Sequence, residues 1–176
     1  SSLNSNPGLD GVISLHEAIA AANSTANGPA PDEIRFNIPG SGIHRIDAAG
    51  GLPVVTDAVV IDGFSQSGAA PNTNPIHQAS NAVLRIEVSG LGMGIQLGAG
   101  SGGSTVQGLI LRDNSGRGIS ILSDDNVVAG NVVTSNSAGG IELHGNDNRI
   151  GGTAAADRNV IVSNGQDGVH LVNAAN

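Results

Sequence analysis

Asn114, Asn136 and Asn164 each stand four residues before a glycine that opens a short apolar run, in NSGRGISI, NSAGGIEL and NGQDGVHL. The unit recurs at intervals of 22 and 28 residues. A unit this short cannot bury its own apolar face, so copies must stack, and the chain is predicted to be a solenoid. One strand position aligns Gly94-Ile95-Gln96-Leu97, Gly118-Ile119-Ser120-Ile121, Gly140-Ile141-Glu142-Leu143 and Gly168-Val169-His170-Leu171. A second aligns Leu109-Ile110-Leu111, Asn131-Val132-Val133 and Asn159-Val160-Ile161, and the longer turn carries an insertion at 151–157. Equivalent strands of successive turns run in the same direction about 4.8 Å apart, so the sheets are expected to be parallel.

Composition narrows what such a stack contains. Phe36 and Phe64 are the only aromatic residues and Met93 the only methionine among 176 residues, so the core falls to Val, Ile, Leu and Ala. The 27 glycines follow no three-residue period and alternate with apolar runs, which excludes collagen and a flexible linker. Fifteen acids against seven arginines, with no lysine, give a net charge of -8. Attraction to a nucleic-acid backbone is not expected. Absence of lysine removes Schiff-base and P-loop chemistry, and absence of cysteine removes thiol chemistry and disulfides. No apolar run approaches the roughly 20 residues of a membrane span, so no membrane insertion is expected.

Ser14-Leu15-His16-Glu17 has the form of a capping box, and Leu15, Ala18, Ile19 and Ala22 follow it at helical spacing. A short helix over 14–23 is predicted, lidding the first turn of the stack. From residue 33 the pattern changes to short strands at Ile34–Ile38, Ile43–Ile46, Val54-Val55, Val59–Ile61 and Leu84–Val88, broken by a surface loop at 65–82.

These features resemble the right-handed parallel β-helix of pectate-lyase-like proteins. The shared elements are G-[IV]-x-[LI], GN or RN before a β-branched pair, and Asn four residues before Gly. The opening ISLHEAIAAAN, followed by IRFNIPG and VVIDG, is similar to the SLREAI segment that begins β-helix regions of large bacterial surface and secreted proteins. His16 stands where that segment usually has Arg. The resemblance implies an all-β fold of about six or seven turns with an N-terminal capping helix, over a single domain spanning 1–176 with its coils at 33–176. It also implies an extracellular or cell-surface location.

Within this frame the repeated Asn114, Asn136 and Asn164 are read as an internal ladder, each carboxamide bonding to the next copy and to turn carbonyls. Asn131 and Asn159 read as a shorter set of the same kind. Candidate catalytic residues are those that depart from the repeat. Asp124-Asp125 with His144-Gly145 resembles the Asp pair and His-Gly of polygalacturonase-like β-helix hydrolases, in which paired carboxylates protonate the leaving oxygen and activate water. The further Asp of that family's Asn-Thr-Asp motif is replaced here by Gly102-Gly103-Ser104-Thr105, and its Arg-Ile-Lys by Arg149-Ile150-Gly151. The alternative is a polar turn at Asp124-Asp125-Asn126.

Glu142 and His170 share an outward strand position below Gln96 and Ser120, and form either an ion pair or an acid/base couple. Calcium, which related lyases use, would sit near Asp124 and Asp125, although no D-x-D-x-D-G loop is present. No other cofactor is expected. If Leu109, Asn131 and Asn159 point inward, then Ile110, Val132 and Val160 form an outward apolar stripe.

The expected function is a non-catalytic structural or adhesive module of an extracellular bacterial protein. The alternative is a lyase or hydrolase of acidic polysaccharide such as polyuronate. The absence of Trp and Tyr, which commonly stack on sugars, bears against the second. Either a polysaccharide or another cell-surface ligand is a possible partner. No C-terminal cap follows the last strand, so the chain is read as a fragment, or as one that self-associates through its open end.

Overall fold

The computed structural model describes residues 12–90 and 92–172. Residues 173–176, on which the reading of an uncapped terminus rests, lie outside the described residues.

The helix runs Leu15–Ser24, and both halves of its capping box form: Glu17 N–H donates to Ser14 Oγ at 3.2 Å and Ser14 N–H to Glu17 Oε2 at 2.8 Å. Its face of Leu15, Ala18, Ile19 and Ala22 is buried against one end of the core. Asn23 then engages the exposed backbone of the first coil. Its Nδ2 donates to Val54 O, and its Oδ1 accepts from Thr56 N–H.

Among the described residues fourteen strands form three parallel sheets. The first sheet stacks Asp32–Arg35, Val59–Asp62, Thr105–Gln107, Val127–Ala129 and Arg149–Ile150. The second stacks His44–Asp47, Ile86–Ser89, Leu109–Arg112, Val132–Thr134 and Val160–Val162. The third stacks Ile95–Leu97, Arg117–Ile121, Gly139–Leu143 and Val169–Leu171, and Val55 continues it by a bridge to Leu97. Each turn contributes one strand to each sheet, making an all-β parallel solenoid of about six layers including the helix.

Register follows the repeat. Ile95, Ile119, Ile141 and Val169 share one column, and Leu97, Ile121, Leu143 and Leu171 another. Like side chains therefore stack on like, and in the middle coils they are sealed from water: Ile119, Ile121, Val106, Leu109, Leu111 and Val133 have no exposed surface. Each such side chain contributes about 1.5–3 kcal/mol through burial. Asn131 faces inward with Leu109, so Ile110, Val132 and Val160 point outward, and there they are half-buried.

A three-sheet coil must turn three corners, and each corner brings backbone N–H groups inside. In the middle coils side-chain oxygens from the following coil accept from them. Between the second and third sheets, N–H and Nδ2 of Asn114 donate to Oδ1 of Asn136 at 3.2 and 2.8 Å, and those of Asn136 to Oδ1 of Asn164 at 3.1 and 2.9 Å. Between the first and second, Leu109 N–H donates to Asn131 Oδ1 and Asn131 N–H to Asn159 Oδ1. Between the third and first, a ladder not anticipated as such runs from Val59 N–H to Ser104 Oγ, Ser104 N–H to Asn126 Oδ1 and Asn126 N–H to Asn148 Oδ1. The other amide hydrogens reach back to strand carbonyls, as Asn136 Nδ2 does to Leu111 O.

At the corners after the second and third sheets the residue before a ladder Asn makes the bend. Asp113, Asp125, Ser135, Asp147 and Ser163 are the non-glycine residues at positive φ among those described, and each immediately precedes Asn114, Asn126, Asn136, Asn148 or Asn164. Asp is among the residues that tolerate this left-handed conformation. The repeated glycine has a separate reason. A Cβ on Gly118 would lie 2.8 Å from Asn136 Nδ2 and 2.5 Å from Val133 Cγ1. The glycine leaves room for the next coil's carboxamide.

Two outcomes follow. Asn136→Ala strands the Asn114 amides and the Leu111 carbonyl, so chemical denaturation should show a loss of about 2 kcal/mol or more. Gly118→Ala should be destabilising in the same assay, whereas Gly28→Ala, with nothing within 4 Å of the added Cβ, should be near neutral.

Candidate functional site

Register brings Gln96, Ser120, Glu142 and His170 into one outward column of the third sheet. Here the chemistry-bearing side chains converge. Glu142 Oε1 accepts from Arg117 Nε at 2.9 Å and lies 3.9 Å from His170 Nδ1. Its Oε2 lies 3.3 Å from His144 Nε2 and 3.5 Å from Ser120 Oγ. Arg117 Nη2 is 3.2 Å from His170 Nδ1, which accepts when the ring proton sits on Nε2.

Burial divides the cluster into a core and a rim. The side chains of Arg117 and Glu142 are only 12% and 17% exposed, whereas those of His144 and His170 are 36% and 42% exposed. Arg117 reaches this depth because its partner in the adjacent strand is Gly139, against whose backbone the guanidinium lies. Arg117 Nη1 is buried there without an acceptor. The arginine thus crosses from one coil to the next and fixes the carboxylate beside it. Sequence reasoning paired Glu142 with His170 but missed Arg117. Its signal was an arginine one residue before the repeat glycine, opposite a second glycine in the following coil.

Chemically, the cluster offers one carboxylate neutralised by a guanidinium and two rim imidazoles. Hydrolysis by paired carboxylates needs a second acid across the scissile bond. Asp124 and Asp125 lie elsewhere, at the corner between the third and first sheets, beside an open depression of about 440 Å³ that Leu122 and Ser123 also line. Asp125 takes φ +61° before the ladder residue Asn126, and Asp124 Oδ1 accepts from Asn146 N–H at 2.7 Å. His144 points to Glu142, and neither aspartate makes a hydrogen bond or ion pair with it. The turn reading of Asp124-Asp125-Asn126 thus describes the local geometry, with Asp147-Asn148 repeating it one coil later. Among the described residues no three His, Asp or Glu gather in a way that could hold a metal ion. Nor is any described helix long and apolar enough to cross a membrane.

The two insertions meet. Phe64 packs its ring over Gly108 and Gly130, and the following loop runs along the outside of the stack. Asn72 Nδ2 donates to Ala155 O, while Arg158 donates to Asn74 O, Pro75 O and Gln78 O. The loop that interrupts the second coil is therefore strapped to the insertion of the fifth.

Glu142→Gln leaves the Arg117 guanidinium buried without its counter-charge. Denaturant titration should register about 1–3 kcal/mol of lost stability, the partial exposure of the pair moderating the full penalty for a broken buried pair. Asp124→Asn, at an exposed corner, should stay within about 0.5 kcal/mol.

No curated protein and no solved structure matches the chain. The family described as "Right handed beta helix region" matches residues 34–176. That span takes in every coil after the capping helix, whose strands are parallel and in register throughout. The chain accordingly belongs to the right-handed β-helix family.

Proposed function

We propose that this β-helix is a non-catalytic structural or adhesive module of an extracellular or cell-surface bacterial protein. One observation carries the reading: the side chains with catalytic potential are engaged in joining one coil to the next. Asp125 bends a corner, Asp124 holds Asn146 of the following coil, and Glu142 is ion-paired to Arg117 across coils. A stack joined in this way at every layer makes a stiff spacer, and its polar outer faces leave room for ligand contacts without a reacting centre. The likeness of ISLHEAIAAAN to the opening segment of large surface and secreted β-helix proteins supports the location. The scarcity of aromatic side chains supports the absence of a sugar-processing groove.

A second reading has one observation in its favour. Glu142 Oε2 lies 3.3 Å from His144 Nε2, an arrangement in which a carboxylate orients an imidazole that faces solvent. A lyase or hydrolase of acidic polysaccharide, with or without calcium near Asp124 and Asp125, would draw on such groups. Turnover assays on polyuronates with and without added calcium separate the readings. The structural module gives no product in either condition. Product formation that is lost in His144→Ala or Asp125→Asn, with the melting temperature retained, would replace it with the enzyme.

A further inference from the structure

The sequence holds the dipeptide Asn-Gly twice, at Asn27-Gly28 and Asn164-Gly165, and the fold places the two in opposite circumstances. An asparagine followed by glycine is chemically unstable in water, because the glycine backbone nitrogen can attack the carboxamide carbon and no Cβ hinders its approach. In a folded protein the rate depends on whether that nitrogen is held elsewhere and on how firmly the carboxamide is held.

At Asn164-Gly165 both groups are held. Asn164 Oδ1 accepts from the N–H and Nδ2 of Asn136, and its Nδ2 donates to Val133 O at 3.0 Å. Gly165 N–H donates to Asn136 O at 2.8 Å, and its backbone lies so close to the neighbouring coil that an added Cβ would strike Ser137 O. The nitrogen cannot turn toward Asn164 Cγ without unseating the corner. Asn27 lies between the helix and the strand Asp32–Arg35, and its carboxamide makes two bonds: Nδ2 donates to Ala58 O at 2.8 Å, and Oδ1 accepts from Asp32 N–H at 2.7 Å. Gly28 is exposed, has nothing within 4 Å of its Cβ position, and its N–H meets no acceptor among the described residues. Here the nucleophile is free, and only the local opening of two side-chain bonds stands before the attack.

We propose that Asn27-Gly28 is a self-modifying site, at which the folded chain converts Asn27 to aspartate and isoaspartate with water as the co-reactant, and that the conversion loosens the helical cap. The Gly28 nitrogen gives up its proton and bonds to Asn27 Cγ, the Cγ–Nδ2 bond breaks, and ammonia leaves behind a five-membered cyclic imide. Water then adds to one of the two imide carbonyls. Breaking the nitrogen's bond to Cγ yields aspartate, and breaking its bond to the main-chain carbonyl carbon yields isoaspartate, whose main chain runs through Cβ and Cγ. Nothing is oxidised or reduced. Aspartate sets a second acceptor oxygen against Ala58 O, where Nδ2 had donated, and isoaspartate also lengthens the chain at this point. The tie between the segment after the helix and the backbone before Val59–Asp62 is lost, leaving the two bonds of Asn23 to anchor the cap. The proposal is independent of whether the module has catalytic activity.

The test holds the folded protein at mildly alkaline pH, where the attacking nitrogen loses its proton more readily, and follows conversion of each asparagine by peptide mass spectrometry. Asn27 is expected to convert about tenfold or more faster than Asn164, the two rates becoming alike in denaturant. Gly28→Ala, whose Cβ meets nothing in the fold, should slow conversion of Asn27 about tenfold or more by crowding the nitrogen. Asn27→Asp, which reproduces one product, should speed backbone amide exchange at Ile19 and Ala22 about fivefold or more while leaving Ile119 and Ile141 unchanged. A folded-state rate at Asn27 no greater than that at Asn164, or one unaffected by Gly28→Ala, overturns the site. Unchanged helix exchange in Asn27→Asp overturns its effect on the cap.

Discussion

A solenoid that turns three corners per coil carries its least satisfied backbone groups at those corners, inside the protein and away from water. In the middle coils a side-chain oxygen from the next coil, usually an Asn carboxamide, accepts from the corner N–H groups, as at Asn114, Leu109 and Ser104. An unpaired buried donor costs about 1–3 kcal/mol, so every coil depends on its neighbour for more than apolar contact. Much of the sequence follows from this constraint. A residue at positive φ precedes each of the five Asn residues that follow an Asp or Ser bend. Glycine stands where a Cβ would strike the incoming carboxamide. Apolar residues then fall into columns, because the corners have already fixed which strand residues lie opposite one another.

The same dependence governs the polar side chains outside. Glu142 and Arg117 come from adjacent coils and meet because register leaves a glycine opposite the arginine. Asp124 reaches the next coil's Asn146 through the corner that Asp125 bends. Groups that look like an active site when read along the chain are distributed across the stack as ties between layers. The strap from the second coil to the fifth adds a tie over a longer distance, with Arg158 donating to three loop carbonyls.

Period and alternation made the solenoid legible in the sequence. Strand alignment could be read because Leu109 and Asn131 stand at one repeat position, while their inward parity came from the structure; the helix could be read because its capping box and apolar stripe coincide. The ladder of Asn126 and Asn148 was obscured: Ser104 replaces Asn in its earlier coil, and beside Asp124-Asp125 the Asn126 side chain read only as part of a polar turn. The role of Arg117 was less visible still. It needs a glycine one coil away at the matching register, and periodicity within a strand carries no information about a side chain that lies across the strand direction. The meeting of the 65–82 loop with the 151–157 insertion is likewise a contact between two departures from the repeat, and neither has a copy elsewhere in the chain that reveals its path.

The side-chain amide protons of the corner asparagines report most directly on whether the ladders hold the stack together. Native-state exchange of Hδ2 protons, resolved by NMR, should find those of Asn126, Asn131 and Asn136 protected to nearly the same degree as the backbone amides of Ile119 and Ile141. The carboxamide of exposed Asn37 should exchange at the rate of a free side chain. Corner carboxamides that exchange as fast as that of Asn37, while the strand amides stay protected, would mean that apolar stacking alone sets the register.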